Sequence, residues 1–89
     1  MRVTVFDYAK RGNRAKGVTI GTLDLYFSYQ TCIAFRNGGE TVVRENEWSS
    51  TTGGHLNSID GGGRKAKAQR LSSDEFGQRL EITLQEHGL

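Results

Sequence analysis

The sequence has one cysteine, Cys32, and no long run of apolar residues. A lone cysteine excludes an internal disulfide and a zinc knuckle built from thiolates. The absence of a long apolar run excludes a membrane-spanning helix and the apolar core of a signal peptide. We therefore predict a cytoplasmic protein that does not bind a membrane.

Groups that could perform catalysis or hold a metal are few and poorly spaced. His55 is the central histidine, and its candidate companions are Cys32, Glu47 and Asp60. A cysteine–histidine pair needs hydrogen-bond contact and a third group that orients the base. Cys32 falls within a strand-like stretch, where a buried thiol behaves as a small hydrophobe. No two soft ligands have a recognised metal spacing, so we predict no enzymatic activity, no metal and no cofactor.

The chain has 89 residues, of which 35% are hydrophobic and 25% are charged. This composition is typical of a globular domain and not of a disordered tail. A chain of this length buries about 60–65% of its unfolded surface, which is enough for one core. We predict a single domain over residues 1–89.

Positive charge is concentrated in two short segments, although the net charge is only +2. The segments contain Lys10, Arg11, Arg14 and Lys16, and Arg64, Lys65, Lys67 and Arg70. If they meet in space, they form a patch suited to phosphate or to an acidic protein surface. The alternative is two solvated loops with no common function.

Period-two alternation of apolar residues predicts a small antiparallel sheet of three to four strands in the first half of the chain. The first predicted strands are residues 2–8, 18–29 and 31–35. Gly21 interrupts the alternation and indicates a bulge or a strand end. Alternation places Ile33 and Phe35 on one face of the sheet, with Cys32 and Ala34 on the other.

Asn37-Gly38 predicts a β-hairpin, because both residues tolerate the positive φ of a type I′ turn. A two-residue loop at this position sets Ile33 opposite Val42. Alternatively, Gly39 extends the loop to three residues and shifts the register.

Two helices are predicted after the sheet, which gives an α+β fold. Hydroxyl residues start a short helix over residues 50–59, and Asp60 with three glycines ends it. The sequence from Ser72 to Glu75 is a capping box for a C-terminal helix. Its apolar stripe, Phe76, Leu80 and Leu84, predicts that this helix packs on one face of the sheet. We therefore expect a sheet that the helices cover on one side.

The start of the short helix is a candidate anion site. Its hydroxyl run is Ser49, Ser50, Thr51 and Thr52. A helix N-terminus presents free N–H groups to a phosphate or carboxylate, and His55 follows one turn later. The alternative is that a hydroxyl caps its own helix. The three glycines before Arg64 lack the element order of a phosphate-binding P-loop.

Trp48 is the one tryptophan of the chain. Inside the protein it would be a core residue, and outside it would be a stacking platform or an interface anchor. Tyr8, Tyr26 and Tyr29 add aromatic surface on or beside the sheet. Aromatic residues near basic loops suit single-stranded nucleic acid and protein interfaces alike.

Residues 26–63 resemble a family of small, uncharacterised proteins encoded by bacteriophages. The positions that carry the resemblance are Tyr26, Ser28, Tyr29, Asn46, Trp48, Ser49, Thr51, Thr52, Gly53, His55, Leu56, Asn57 and Ile59. Gly54 stands where relatives are expected to carry a basic residue. The resemblance implies no activity, but it implies a context: small phage proteins often bind and disable a host complex, including CRISPR surveillance complexes.

We therefore expect a phage or mobile-element accessory protein that binds and inhibits a host protein or nucleoprotein complex in the bacterial cytoplasm. The residues predicted to contact the partner are Lys10, Arg11, Arg14, Lys16, Trp48, His55, Arg64, Lys65, Lys67 and Arg70. One alternative is a nucleic-acid-binding module that uses the same basic segments. A second is a binder of a small phosphorylated nucleotide at residues 49–55, and a homodimer also stays open.

Overall fold

The computed structural model describes residues 2–9 and 14–89, and within them the chain forms five strands and three helices. The strands are β1 (Val3–Asp7), β2 (Ala15–Ile20), β3 (Leu23–Ser28), β4 (Thr31–Asn37) and β5 (Glu40–Val43). The helices are α1 (Ser50–Asp60), α2 (Arg64–Ala68) and α3 (Ser73–Glu86). The predicted α+β class is confirmed.

The sheet is antiparallel and follows chain order from β1 to β5. It has five strands in the described residues, whereas the sequence predicted three to four. The difference arises at Gly21, where a positive φ of 62° turns the predicted strand 18–29 into a hairpin of two strands.

The predicted hairpin between β4 and β5 is confirmed, but its register is different. Asn37 pairs with Glu40, so the turn residues are Gly38 and Gly39. Gly38 takes the positive φ, 62°, which leaves Asn37 in the strand. As a result Phe35, and not Ile33, lies opposite Val42.

A β-bulge in β4 changes which residues share a face. The register shifts beside the Tyr26–Phe27 step of β3, where β4 has one extra residue. Ile33 and Ala34 consequently belong to one core cluster, whereas Cys32 and Phe35 pack with the other. The prediction that Ile33 and Phe35 share a face is wrong, because a bulge breaks strict alternation.

Helices cover both faces of the sheet. Leu56 of α1 packs with Tyr26 and Val43 on one face. Phe76 of α3 packs with Leu25 and Val42 on the other. The expectation that both helices cover one face is therefore wrong. The central strands have apolar residues on both sides, and each side needs a cover.

Side-chain caps start α1 and α3 as the sequence predicts. Ser49 Oγ accepts a hydrogen bond from Thr52 N at 3.4 Å, and Ser72 Oγ accepts one from Glu75 N at 3.3 Å. Of the helices in residues 2–9 and 14–89, none is long and apolar enough to cross a membrane.

The second basic segment forms a helix, α2, where the sequence predicted a loop. Arg, Lys and Ala are strong helix formers, and Gly63 begins the turn. After α2, Leu71 N donates to Val43 O and Leu71 O accepts from Glu45 N, each at 2.8 Å. These two bonds fasten the chain along the outer edge of β5.

Candidate functional site

The β3–β4 turn meets the start of α1 at a buried polar cluster. Ser28 Oγ lies 2.7 Å from His55 Nδ1 and 3.1 Å from Thr52 Oγ1. All three side chains are buried, and His55 is only 6% exposed. Because each hydroxyl has a partner, the cluster joins α1 to the sheet at little desolvation cost.

Burial sets the chemistry of His55 and Cys32. Desolvation lowers the pKa of His55 below 6.5, because a charged imidazolium is disfavoured away from water. Burial raises the pKa of the Cys32 thiol to about 11, so thiolate is scarce at neutral pH. Cys32 packs with the α3-side cluster, whereas His55 lies on the α1 side. The two cannot form a nucleophile–base pair.

A metal-binding arrangement is absent from residues 2–9 and 14–89, where no three His, Cys, Asp or Glu side chains cluster as ligands. The predicted anion site is likewise occupied by internal contacts. Ser49 caps α1, and Thr52 and His55 bond to Ser28. Ser50 and Thr51 remain exposed.

Asn46 holds the backbone around Trp48. Asn46 Oδ1 accepts from Trp48 N at 3.0 Å, and Asn46 Nδ2 donates to Ser49 O at 3.3 Å. A β-carbon added at Gly53 would lie 3.0 Å from Asn46 Nδ2, so glycine leaves room for this turn. Asn46 and Gly53 therefore support the tryptophan.

Asn57 joins a structural ion pair. Arg70 Nε donates to Asp60 Oδ2 at 2.8 Å, and Arg70 Nη2 donates to Asn57 Oδ1 at 3.0 Å. The Arg70 side chain is only 6% exposed. Its hydrogen bonds lower the pKa of Asp60. Arg70 was predicted to contact a partner, but in the structure its guanidinium binds side chains at the end of α1.

Tyr29 and Trp48 form the walls of a groove of about 320 Å³. Tyr29 is 50% exposed and Trp48 is 44% exposed, so the tryptophan lies at the surface and not in the core. Buried Ile33 lies at the floor. Tyr29 also has a positive φ of 56°, a conformation that costs a non-glycine residue about 1–2 kcal/mol.

The other two tyrosines do not add to this surface. Tyr26 is buried, and Tyr8 donates its hydroxyl to Phe27 O at 2.8 Å. Both pack edge-to-face with one another, at 5.2 Å between ring centroids. Among the three tyrosines, Tyr29 alone is exposed.

Two guanidinium groups flank the groove. Arg14 lies 5.5 Å from the Tyr29 ring centroid, and Arg44 lies 4.7 Å from that of Trp48. Arg44 also lies 5.4 Å from the Phe76 ring and donates to Ser73 Oγ. Sequence reasoning missed Arg44, because a single arginine after a strand has no distinctive signal. Sequence reasoning also did not single out Tyr29 as a wall of the groove, because no local sequence pattern indicates its positive φ.

Of the first basic segment, Arg14 and Lys16 are described, and they do not meet the second basic segment. Lys10 and Arg11 lie outside the described residues. Arg14 and Lys16 lie at β2, where Lys16 pairs with Asp7. The second segment lies beside β5, three strand spacings or about 14 Å away. The exposed members of the second segment are Arg64, Lys65 and Lys67.

Comparison with known proteins gives a family but no activity. A family model described as a family of unknown function, DUF8033, matches residues 2–78. No curated protein and no solved structure matches the chain. The matched region includes the groove, its two aromatic walls and the residues that support them.

Proposed function

We propose that this chain, which belongs to the DUF8033 family of unknown function, is a non-catalytic binding protein. Its partner surface is the groove between Tyr29 and Trp48, together with the adjacent Arg14. The most concrete form of the function is inhibition of a host protein or nucleoprotein complex, such as a CRISPR surveillance complex. The likeness of residues 26–63 to small phage proteins supports a phage or mobile-element origin.

The observation that carries the proposal is the way in which Trp48 is held at the surface. Its indole stacks on Arg44, whose guanidinium also lies against Phe76. Asn46 fixes the backbone of the same residue. A half-exposed tryptophan with such support loses little side-chain entropy on binding. Trp, Tyr and Arg are also the residues that most often dominate binding energy at protein interfaces.

The experiment is affinity capture from host cells with three tagged proteins: wild type, Trp48→Ala and Ile82→Ala. Ile82 is the matched control, because it is 57% exposed and lies on α3, away from the groove. We expect wild type and Ile82→Ala to retain the same host complex. We expect Trp48→Ala to lose it by more than about tenfold, a typical cost for an interface anchor.

Activity is measured in parallel as phage survival on defence-positive and defence-negative hosts expressing each protein. Restored survival that depends on Trp48 supports inhibition of defence. Equal capture by all three proteins, or no captured complex, contradicts the proposal.

A second candidate function is binding of single-stranded nucleic acid. Arg14 beside Tyr29 favours it, because an aromatic ring with an adjacent guanidinium is a common base-stacking platform. It predicts binding of short oligonucleotides at low salt that weakens steeply as salt rises. The nucleotide-binding alternative at residues 49–55 has less support, since Ser49, Thr52 and His55 bond within the protein. A thermal shift with cyclic and linear nucleotides tests it.

A further inference from the structure

We propose that two copies of this chain pair through strand β1 and join their sheets edge to edge. The dimer goes beyond the proposed function and uses no residue of the groove, since Tyr29 and Trp48 lie outside β1. Three features of β1 support it: an open row of backbone groups, two exposed valines and a sequence that matches itself about a two-fold axis.

The two edges of the sheet differ in their cover. The edge at β5 is partly occupied, because Leu71 forms two backbone hydrogen bonds along it. The edge strand β1 pairs with β2 and with no other strand in residues 2–9 and 14–89. Its register is consecutive from Val3 to Asp7, and the strand contains no proline, lysine or bulge, the features that commonly block an edge. β1 can therefore accept a further strand.

Alternate residues of β1 direct their backbone groups away from the sheet. Tyr8 N donates to Ala15 O of β2 at 3.4 Å. Hydrogen-bonded and non-hydrogen-bonded pairs alternate in an antiparallel ladder, so Thr4, like Tyr8, bonds to β2. The N–H and C=O groups of Val3 and Val5 therefore point outward, where a further strand can bond to them.

Val3 and Val5 also present apolar side chains at this edge. Val3 is 56% exposed and Val5 is 65% exposed. Val3 lies opposite Ile20, which packs against the core on the α3 side of the sheet. The two valines therefore extend that apolar face to the outer edge of the sheet. A strand that pairs here removes part of this apolar surface from water, which favours association.

One register of β1 with a second copy of itself uses both the outward backbone groups and the valines. A two-fold axis perpendicular to the sheet places Thr4 opposite Thr4 of the second copy, in antiparallel order. Val3 of each copy then lies opposite Val5 of the other. Each of these pairs exchanges both of its N–H···O bonds, because the groups of both residues point outward. The valines of the two copies lie side by side on the same face, where apolar cross-strand pairs stabilise a sheet.

Apolar contact and charge both favour this register, which is centred on Thr4. A shift of two residues in either direction pairs one valine with itself and leaves the other opposite a residue that is not valine. In the register centred on Thr4, Arg2 lies opposite Phe6 of the second copy. The two copies of Arg2 are then about 14 Å apart along the strands, which exceeds the screening length of about 8 Å at physiological salt. The edge therefore fits a second copy without repulsion between the two arginines.

The interface is a single pair of strands, which is small for a protein dimer, so we expect a dissociation constant of roughly 10 to 1,000 μM. The experiment is analytical ultracentrifugation of full-length wild type, Val5→Lys and Ile82→Lys from about 10 μM to about 2 mM. Ile82→Lys is the matched control, because it adds the same charge at an apolar residue that is 57% exposed and lies on α3. We expect wild type and Ile82→Lys to dimerise equally. Val5→Lys should dimerise at least about tenfold more weakly, because lysine blocks an edge strand.

Oxidative cross-linking tests the register with Thr4→Cys and Val5→Cys. The Cα atoms of the two Thr4 residues are about 4.5 Å apart in a non-hydrogen-bonded pair, and this distance suits a disulfide. The two Val5 residues are about 9 Å apart, which is too far. We expect Thr4→Cys to form at least about tenfold more disulfide-linked dimer than Val5→Cys on a non-reducing gel. Wild type, whose one cysteine is Cys32, reports any cross-link that does not involve β1.

A monomer at all concentrations, equal dimerisation of Val5→Lys and wild type, or a stronger cross-link from Val5→Cys than from Thr4→Cys would overturn the inference. So would loss of the host complex by Val5→Lys while wild type stays monomeric, because β1 would then bind a host strand. Circular dichroism establishes that each variant is folded, and the Thr4→Cys cross-link serves if Val5→Lys is not. Because Val5→Lys leaves Trp48 unchanged, failure to dimerise leaves the proposed function intact, and loss of Trp48-dependent host capture leaves the dimer intact.

Discussion

Within residues 2–9 and 14–89, Tyr29 is the one non-glycine residue with a positive φ. Its φ of 56° lies in the left-handed region, which asparagine or glycine occupies more easily. The turn is fixed by Tyr29 N, which donates to Arg14 O at 2.8 Å. Strain of this kind persists where the surrounding structure imposes it, and it is frequent at binding sites. We interpret it as the cost of placing an aromatic ring at the groove.

Replacing Tyr29 by asparagine should therefore raise stability and reduce binding. We expect the free energy of unfolding to rise by up to about 1 kcal/mol, because asparagine tolerates the left-handed conformation. This corresponds to a melting temperature about 4 °C higher. Thermal unfolding and host capture measure the two effects. Tyr29→Phe is the control and should leave both unchanged, whereas lower stability of Tyr29→Asn would contradict the strain argument.

His55 should give the protein a pH dependence near neutrality. Burial lowers its pKa in the folded state below 6.5, so the unfolded chain binds the proton more readily. Stability is then fully present above about pH 6.5 and declines as pH falls through the folded pKa. His55→Gln keeps a hydrogen-bonding partner for Ser28 but cannot titrate. Urea unfolding at about pH 8 and about pH 5 should show a smaller difference in stability for this variant than for wild type.

At the scale of elements, α1 depends on contacts at both of its ends. Gly53 and Gly54 weaken its interior by about 1 kcal/mol each. The Ser28 cluster holds its first half to the sheet. Arg70 binds Asp60 at its last residue. These tertiary contacts compensate for low helix propensity, so the start of α1, where Ser49 and Thr52 line the groove, depends on them.

Removing Arg70 should destabilise the protein strongly. Arg70→Ala leaves the Asp60 carboxylate half-buried without its cation, which costs on the order of 3 kcal/mol. The melting temperature should fall by at least about 10 °C. Arg79→Ala is the matched control, because its pair with Glu40 is exposed and is worth less than about 1 kcal/mol. Similar losses for the two variants would contradict a structural role for Arg70.

The same pair predicts behaviour in acid. Hydrogen bonding from Arg70 lowers the pKa of Asp60 below 3.8. The stability that this provides is present above about pH 4 and is lost as pH falls through the folded pKa. Acid titration of unfolding should therefore show a shallower decline below about pH 4 in Arg70→Ala than in wild type.

At the scale of the whole molecule, helix α1 separates the groove from the basic helix α2. The basic helix α2 follows the C-terminal end of α1, and the groove lies at the N-terminal end of α1. The 11 residues of α1 span about 16 Å. This distance exceeds the screening length of about 8 Å at physiological salt. The charges of α2 therefore have little influence on a ligand in the groove.

Neutralising α2 should consequently leave groove binding intact. The variant changes Arg64, Lys65 and Lys67 to serine. We expect its capture of the host complex to stay within about twofold of wild type, since distant exposed charges are screened. Arg14→Glu, which changes one charge beside the groove, should lower capture by more than about tenfold. A larger loss from the triple variant would show that the partner extends over α2.

Several features could be predicted from neighbouring residues alone. Apolar periodicity within single segments gave the α+β class. Turn and cap chemistry within a few residues gave the hairpin after β4 and the caps of α1 and α3. The predicted count of three to four strands was too low because Gly21 has two interpretations in the sequence, a bulge or a strand end. The helix α2 was missed because its position after three glycines outweighed the propensity of its Arg, Lys and Ala residues.

Sequence by itself therefore determined most of the elements, though not α2 or the full number of strands, because caps and turns are interactions between residues close along the chain. Tertiary structure decided the β4 bulge, the coverage of both faces, the exposure of Trp48 and the burial of His55. It also decided that Arg70 is structural and that Arg14 and Lys16 lie apart from the second basic segment. Each of these depends on contacts between residues distant in the chain, such as Ser28 with His55 or Arg44 with Phe76, which no local pattern records.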